Sequence, residues 1–465
     1  MSAVASAVMS RLAEIVGEAH LVGNSEELAS YRIGALCPSG AVRPGTAEEV
    51  AEVMKFASTE RLGVVACGAR TKLEIGFPPR KYDLAIDLTR LDHIVAYDPD
   101  DLTLSVEAGI TVSKLSAVLA ERGQFLPLAV PFWSRATAGG TIVSGVDSPL
   151  RQGYGTARDF ILGMGFVTGD GILTKSGGRV VKNVTGYDLH KLMIGSLGTL
   201  GVVTKINFRT FPSPGETRAF VANFESMAGA LDMRARLSRS PLKPLTTEVL
   251  SPGVADLFYS GSAARIEARP LAANVLTGKS WAVTAGFAGS GGMLGRYERE
   301  MRAIAERSGM ASVTFLQDEQ VRGAFGRKRE FVPIAQGFSP AATILKASVL
   351  PSRMGEILAE IDSTAASACL RWAGMARGAG VIYAALLPDA LSDDSRARVV
   401  RTAGRIQTAC DKAGGHATIP WCPDSWKLQL RIWGSEGGEL GQMRKLKTAF
   451  DPQGILSPGR FVGGI

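Results

Sequence analysis

The sequence predicts an α+β fold in more than one domain, and three observations carry that prediction. Segments with strand-like alternation and segments with helical spacing succeed one another without settling into a repeating strand–helix–strand order. Three glycine-rich loops fall between Ala66 and Gly201, each beside an apolar segment that reads as a strand or a helix. The 465 residues exceed what one core ordinarily supports, so two domains or more are expected.

Residues 1–35 read as an N-terminal helical segment, amphipathic because Arg11 and Glu14 interrupt its apolar run. Thr46, with Glu49 three residues on, makes a capping box for a helix through Ser58. The strand Gly63–Cys67 runs straight into the first glycine loop, Ala66-Cys-Gly-Ala-Arg-Thr-Lys72. Strands follow at Leu84–Leu88, Ile94–Tyr97 and Leu102–Glu107, then a helix at Val112–Glu121. The second loop is Ala136–Gly145, and the third is Gly177–Asp188 closed by Gly195–Gly201. A strand from Gly201 to Phe211 ends at Pro212-Ser-Pro-Gly215, the clearest boundary in the chain.

Beyond it, strands at Ala219–Phe224, Ala282–Ala288 and Ala342–Val349 alternate with helices at Leu294–Ser308, Met354–Ser363 and Asp394–Ala413, and a glycine-rich turn falls at 289–292. This order suits a small antiparallel sheet backed by helices. Residues 251–280 are polar and irregular, and no internal repeat is visible.

Composition narrows the class. The 46% hydrophobic and 21% charged residues are those of a soluble globular enzyme. The net charge of +8 comes from scattered basic residues without interleaved aromatics, which argues against a nucleic-acid partner. Cys37, Cys67, Cys369, Cys410 and Cys422 form no zinc or iron–sulfur spacing, so no metal is expected and the thiols suit a reducing, cytoplasmic compartment. No window approaches the ~18 uninterrupted apolar residues of a membrane span, so any membrane association goes through a partner.

Glycine lets a backbone turn left-handed or approach a ligand closely, at a cost in stability that needs a reason. Gly68, Ala69, Arg70, Thr71 and Lys72 form a candidate phosphate loop after a rigid strand. Gly139, Gly140, Ser144 and Gly145 form a second, where Thr137 and Thr141 supply hydroxyl donors. Gly195–Gly201, running into Val202 and Val203, offers main chain that could lie against a planar ring. Three such loops in one domain point to a large, phosphate-bearing cofactor.

Val42–Pro212 resembles the FAD-binding domain of the vanillyl-alcohol oxidase / p-cresol methylhydroxylase superfamily, and Leu446–Arg460, with Phe450-Asp-Pro-Gln-Gly-Ile-Leu-Ser-Pro-Gly459, resembles its C-terminal signature. Within it, Tyr154–Asp159 and Gly177–Asp188 are similar to the E subunit of bacterial glycolate oxidase. The resemblance implies a FAD-binding domain of the p-cresol methylhydroxylase type over 36–214, a ferredoxin-like α+β cap over 215–400 for substrate or partner, and a C-terminal segment, 401–465, packed on the FAD domain. It matches Gly68, Ala69, Arg70, Thr71 and Lys72 to the first pyrophosphate loop, Pro131 to a proline before the second, and Ala138, Gly139, Gly140, Ser144 and Gly145 to the second. Gly201 and Val203 match main chain near the flavin or adenine.

Two departures stand out. The family usually has glycines where this chain has Ala69 and Arg70, and Arg70 adds a fixed charge with bidentate donors. Covalent members carry a histidine where this chain has Thr71, so the resemblance implies non-covalent FAD.

The implied activity is oxidation of glycolate, lactate or another small 2-hydroxy acid, with a second flavoprotein subunit and an iron–sulfur subunit as partners. Such oxidation needs a proton acceptor and cations for the carboxylate. Relatives often use paired histidines, whereas His20, His93, His190 and His416 are far apart here, and only His416 lies where a base is expected. Lys182, Tyr187, Asp188 and Lys191 read either as a polar wall beside the flavin ring or as a solvated loop, and Lys182 and Tyr187 join His416 as catalytic candidates. Two alternatives stay open: a stand-alone FAD dehydrogenase of another alcohol, and a non-catalytic subunit that keeps the flavin fold for assembly.

Overall fold

A computed structural model describes residues 3–179, 186–264, 266, 271 and 275–465, and divides the chain into two compact units. The first comprises 1–147, 156–213 and 436–465; the second comprises 148–155 and 214–435.

In the first unit the strands are β1 (Leu21–Val22), β2 (Gly40–Val42), β3 (Val64–Cys67), β4 (Leu84–Asp87), β5 (Ile94–Asp98), β6 (Thr103–Glu107), β7 (Gln124–Phe125), β8 (Ile161–Val167), β9 (Leu173–Gly177), β10 (Val202–Arg209) and β11 (Phe211–Pro212). The first four form a sheet in the order β1-β2-β4-β3. β4 runs parallel to both neighbours: the helix Ala47–Thr59 carries the chain back between β2 and β3, and residues 68–83 carry it back between β3 and β4. That helix starts as the sequence predicts: the Thr46 hydroxyl accepts from the Glu49 N–H at 3.0 Å, and Glu49 returns to the Gly45 N–H at 2.7 Å. Val50, Val53, Met54 and Ala57 on its inner face pack with Leu12 and Val16 of the helix Ala3–Val16 and with Val64, Leu84 and Ile86.

β3 would be an open edge, and the C-terminal tail covers it. Val64 N–H donates to Ile455 O at 2.8 Å and Ser457 N–H to Val64 O at 2.7 Å. An antiparallel five-stranded sheet, β5-β6-β10-β8-β9, has Phe160, Phe166 and Phe208 in its core, and β7 pairs with β11 as a separate two-stranded sheet.

The second unit is built on one antiparallel sheet of β12 (Glu216–Phe224), β13 (Thr246–Leu250), β14 (Trp281–Gly289), β15 (Ser312–Gln317), β16 (Thr343–Ser348), β17 (Arg371–Arg377), β18 (Val381–Leu387) and β19 (His416–Trp421). Its order, β15-β12-β14-β13-β17-β18-β16-β19, contains the same βαββαβ arrangement twice. Each half has the order fourth-first-third-second, with helices Met227–Arg239 and Gly291–Arg307 in one and Met354–Ser367 and Asp393–Lys412 in the other. β13 and β17 join the halves, with Glu248 opposite Arg377.

Several expectations are corrected. Residues 1–35 are not one helix: Gly17, at φ 83°, ends the first, and β1 and a short helix at Ser25–Leu28 follow. The sheet of the second unit has eight strands rather than a small number, and the duplication is one of topology that residue identities do not display. Residues 401–435 belong to the second unit rather than to the C-terminal segment, because β19 pairs with β16. The turn at 289–292 is instead the end of β14 and the start of a helix. Among the described residues, no helix is long and apolar enough to cross a membrane.

Candidate functional site

The site lies inside the first unit, where β3 delivers its loop. Cys67 is in register with Asp87 of β4, so two parallel strands end side by side and the chain leaves them at Gly68. A Cβ on Gly68 would stand 2.2 Å from Thr137 Oγ1, so only glycine lets the first loop touch the second. Arg70 takes the left-handed conformation at φ 61°. The N–H groups of Gly68, Ala69, Arg70 and Thr71 donate to no main-chain carbonyl among the described residues. Successive donors left unused around a left-handed residue form a concavity suited to an anion.

The second loop is held from behind. Ala138 N–H donates to Ile110 O at 2.8 Å and Gly139 N–H to Ala108 O at 2.7 Å. A Cβ on Gly139 would meet Ala108 Cβ at 2.7 Å, which fixes the glycine there by close packing. Thr137 Oγ1 accepts from Gly140 N–H at 3.3 Å, and the short helix Ala138–Ser144 stops at Gly145, which is left-handed at φ 62°. The third loop bonds back to this helix through Gly195 N–H to Ile142 O at 3.0 Å and Leu197 N–H to Val143 O at 2.8 Å.

Together these segments enclose a cavity lined by Ala66–Leu73, Thr137, Gly140, Val143, Ser144, Leu197 and Arg460. Its volume is about 50 Å³, room for roughly three to five waters at ~10–15 Å³ each, which is the scale of a phosphate group and not of a whole dinucleotide. No carboxylate lines it, whereas Arg70, Lys72 and Arg460 do, so its field favours an anion. These residues fit the diphosphate of a flavin dinucleotide: unused N–H donors, cationic walls and glycine where the loops touch.

Arg460 holds the first loop's exit. It is 3% exposed and donates to the carbonyls of Leu73 at 2.6 Å, Ile75 at 2.8 Å and Phe77 at 3.3 Å. Lys72 is buried, with its Nζ 3.3 Å from Thr71 Oγ1. Burial pushes the Cys67 thiol well above its usual range, so it is not a nucleophile.

Of the sequence-predicted residues, Gly68, Ala69, Arg70, Thr71, Lys72, Gly140 and Ser144 meet around the cavity. Ala138, Gly139 and Gly145 support it from behind. Pro131 is buried on the approach to the second loop. Gly201 packs on Phe166 and the Val167 carbonyl, and Val203 pairs with Phe166 in the sheet, so neither lines the cavity. Arg70 does not supply a free bidentate fork, since its Nη1 is bonded to Asp87 Oδ2 at 2.6 Å.

The three catalytic candidates are not gathered here. Lys182 lies outside the described residues. Tyr187 is 89% exposed. Its neighbour Asp188 is paired with Lys191, a bond that lowers the carboxyl's pKa. His416 opens β19 in the second unit, exposed and opposite Ser348. The buried histidine is instead His190, whose main-chain N–H donates to Ser176 Oγ at 3.1 Å and whose pKa burial lowers. No group of three or more His, Cys, Asp or Glu able to hold a metal occurs among the described residues.

Sequence reasoning missed Arg460, Asp87 and Tyr31, whose hydroxyl donates to Asp87 Oδ2 at 2.7 Å, as parts of this site. Arg460 carried a signal, as the last residue of the C-terminal signature. Asp87 and Tyr31 carried none, because their role depends on the pairing of β3 with β4.

A FAD binding domain family matches residues 38–177, and the family described as FAD linked oxidases, C-terminal domain, matches 213–418 and 434–461. The chain is similar to glycolate oxidase subunit GlcD of Bacillus subtilis (strain 168), at 26% identity over 91% of this chain and 88% of that protein. It is 37% identical to glycolate oxidase subunit GlcE of Escherichia coli (strain K12), over 35% of this chain and 46% of that one. Among solved structures, p-cresol methylhydroxylase superposes with a TM-score of 0.77 at 16% identity, covering 99% of this chain and 97% of that one.

Proposed function

The chain belongs to the FAD-linked oxidases, and from that premise we propose that it is a subunit of a 2-hydroxy-acid dehydrogenase of the glycolate oxidase type. It moves electrons from a small 2-hydroxy acid toward an iron–sulfur partner, in a complex with a second flavoprotein subunit. The observation that carries this reading is the row of unused N–H donors from Gly68 to Thr71, facing a cavity with cationic side chains and no acidic one. The glycolate oxidase subunits to which the chain is similar supply the substrate class.

Bound FAD supplies a two-electron acceptor for a CH–OH carbon. The chain's own part is to hold it. Gly68–Thr71 would present N–H groups to the diphosphate, Lys72 and Arg460 would add positive charge, and the glycines let main chain approach closely. Thr71 offers a hydroxyl and no ring nitrogen, so the flavin is held without a covalent bond. His416, Lys182 and Tyr187 are the candidates for accepting the hydroxyl proton and balancing charge, to be sorted by single substitution. The chain works in the cytoplasm, and contact with a membrane goes through its partners.

The test is an anaerobic visible spectrum of the purified chain, before and after adding glycolate or D-lactate. A yellow protein that bleaches only when the partner subunits are supplied supports this reading. One that bleaches alone is a self-sufficient dehydrogenase, and one that stays oxidised with substrate and partners overturns the substrate class.

A further inference from the structure

Arg70 occupies a position where the backbone asks for glycine. Its φ of 61° lies in the left-handed region, which a side chain makes costly. The main chain gives it little hold: among the described residues Gly68, Ala69 and Thr71 make no main-chain hydrogen bond, and the Arg70 carbonyl accepts one long bond from Leu73 N–H at 3.4 Å.

The side chain supplies the hold. Arg70 Nη1 donates to Asp87 Oδ2 at 2.6 Å, and the guanidinium lies over the Tyr31 ring, 4.6 Å from its centroid. Asp87 is 1% exposed and is itself fixed: Oδ2 accepts from the Tyr31 hydroxyl at 2.7 Å, and Oδ1 accepts from Thr89 N–H and Oγ1 at 3.0 and 2.6 Å. Arg43 approaches from the far side, with Nη2 3.2 Å from the Tyr31 oxygen and Nε 3.8 Å from Asp87 Oδ2. Tyr31 is fully buried, and the Tyr82 hydroxyl donates to its carbonyl at 2.9 Å. The anchor therefore belongs to the rigid core of the β1-β2-β4-β3 sheet.

We propose that Asp87 and Tyr31 are positioning residues that latch the Arg70 side chain and so hold the loop in its left-handed bend, aiming the N–H groups of Gly68–Thr71 at the FAD diphosphate. Where relatives with glycine rely on its conformational freedom, this chain uses a buried carboxylate and an aromatic ring. The proposal rests on the placement of the diphosphate at this loop, as argued above.

The decisive comparison is Arg70→Ala against Arg70→Gly, read as the Kd for FAD from flavin fluorescence on titrating apo-protein, with the melting temperature of each apo-protein as a control. Arg70→Ala loses the latch but keeps the Cβ, and is expected to bind about 5–30-fold more weakly than the wild type. Arg70→Gly loses the latch but gains the freedom, and is expected to bind tighter than Arg70→Ala by a similar ~5–30-fold. Asp87→Asn should weaken the wild type in the same way and have less effect once Arg70 is glycine.

Equal losses in Arg70→Ala and Arg70→Gly would overturn the latch, since they would make the guanidinium a direct phosphate ligand. Because the Arg70 side chain is 29% exposed, these two variants decide the matter even if an Asp87 variant fails to fold. A wild-type chain that takes up no FAD would instead overturn the placement of the diphosphate, and the two failures are distinguishable.

Discussion

The two units put their polar groups to work in opposite ways. In the first, recognition is built from main chain: the loops of Gly68–Thr71, Thr137–Gly145 and Gly195–Leu197 meet through glycines and hydrogen bonds of backbone to backbone. In the second, side chains carry the buried polarity. Lys328, on the helix Asp318–Arg329, pairs with Glu248, which also accepts from Thr284 Oγ1 at 3.0 Å; all three are buried, Glu248 and Thr284 on adjacent strands of the antiparallel sheet. The difference teaches where each kind of substitution should be felt: adding a methyl to a loop glycine matters in the first unit, and removing a charge matters in either unit where the charged side chain is buried.

The largest effect should come from Arg460, a buried side chain of the first unit that holds main chain. Arg460→Met leaves three buried carbonyls without a donor, and is expected to cost toward the upper end of about 3–5 kcal/mol together with loss of flavin. Limited proteolysis with mass mapping should show cleavage in the first unit, and unchanged flavin content would contradict it. Lys328→Met is expected at the lower end of about 3–5 kcal/mol, because it strands the Glu248 carboxylate in the core. Here cleavage should appear in the second unit while flavin is retained.

Gly68→Val sharpens the contrast further. Its Cβ would sit 2.2 Å from Thr137 Oγ1, and the overpacking is expected to cost about 1–3 kcal/mol, or roughly 5–150-fold in the Kd for FAD by titration. A wild-type Kd would mean that the two loops need not touch.

The smallest effect is one of pH. Burial lowers the pKa of His190 from 6.5. Below that value the unfolded chain takes a proton that the folded chain resists, so stability falls as the pH drops through it. Urea midpoints at neutral and mildly acidic pH should show the fall, and His190→Gln should flatten it.

How much of this was legible in the sequence follows the same division. The recognition loops could be read because left-handed turns and close backbone contacts leave glycine as a mark, as at Gly68, Gly139 and Gly145. The strand ahead of the loop, the helix cap at Thr46 and the α+β class were likewise local. The latch on Arg70 could not be read, because it needs the pairing of β3 with β4 that sets Asp87 beside the loop. Nor could the doubled βαββαβ order of the second unit, since strands such as Thr246–Leu250 and Val381–Leu387 are buried along their whole length and lack alternation. His416 and Tyr187 were chosen for residue type and position in the chain, and neither lines the cavity.

The measurement that tests the backbone cradle most directly is a crystal structure of the flavin-loaded chain. Diphosphate oxygens are expected within about 2.7–3.2 Å of the N–H groups of Gly68–Thr71, with Arg70 still bonded to Asp87. A diphosphate bound away from this loop, or an Arg70 that has left Asp87 for the phosphate, would contradict it.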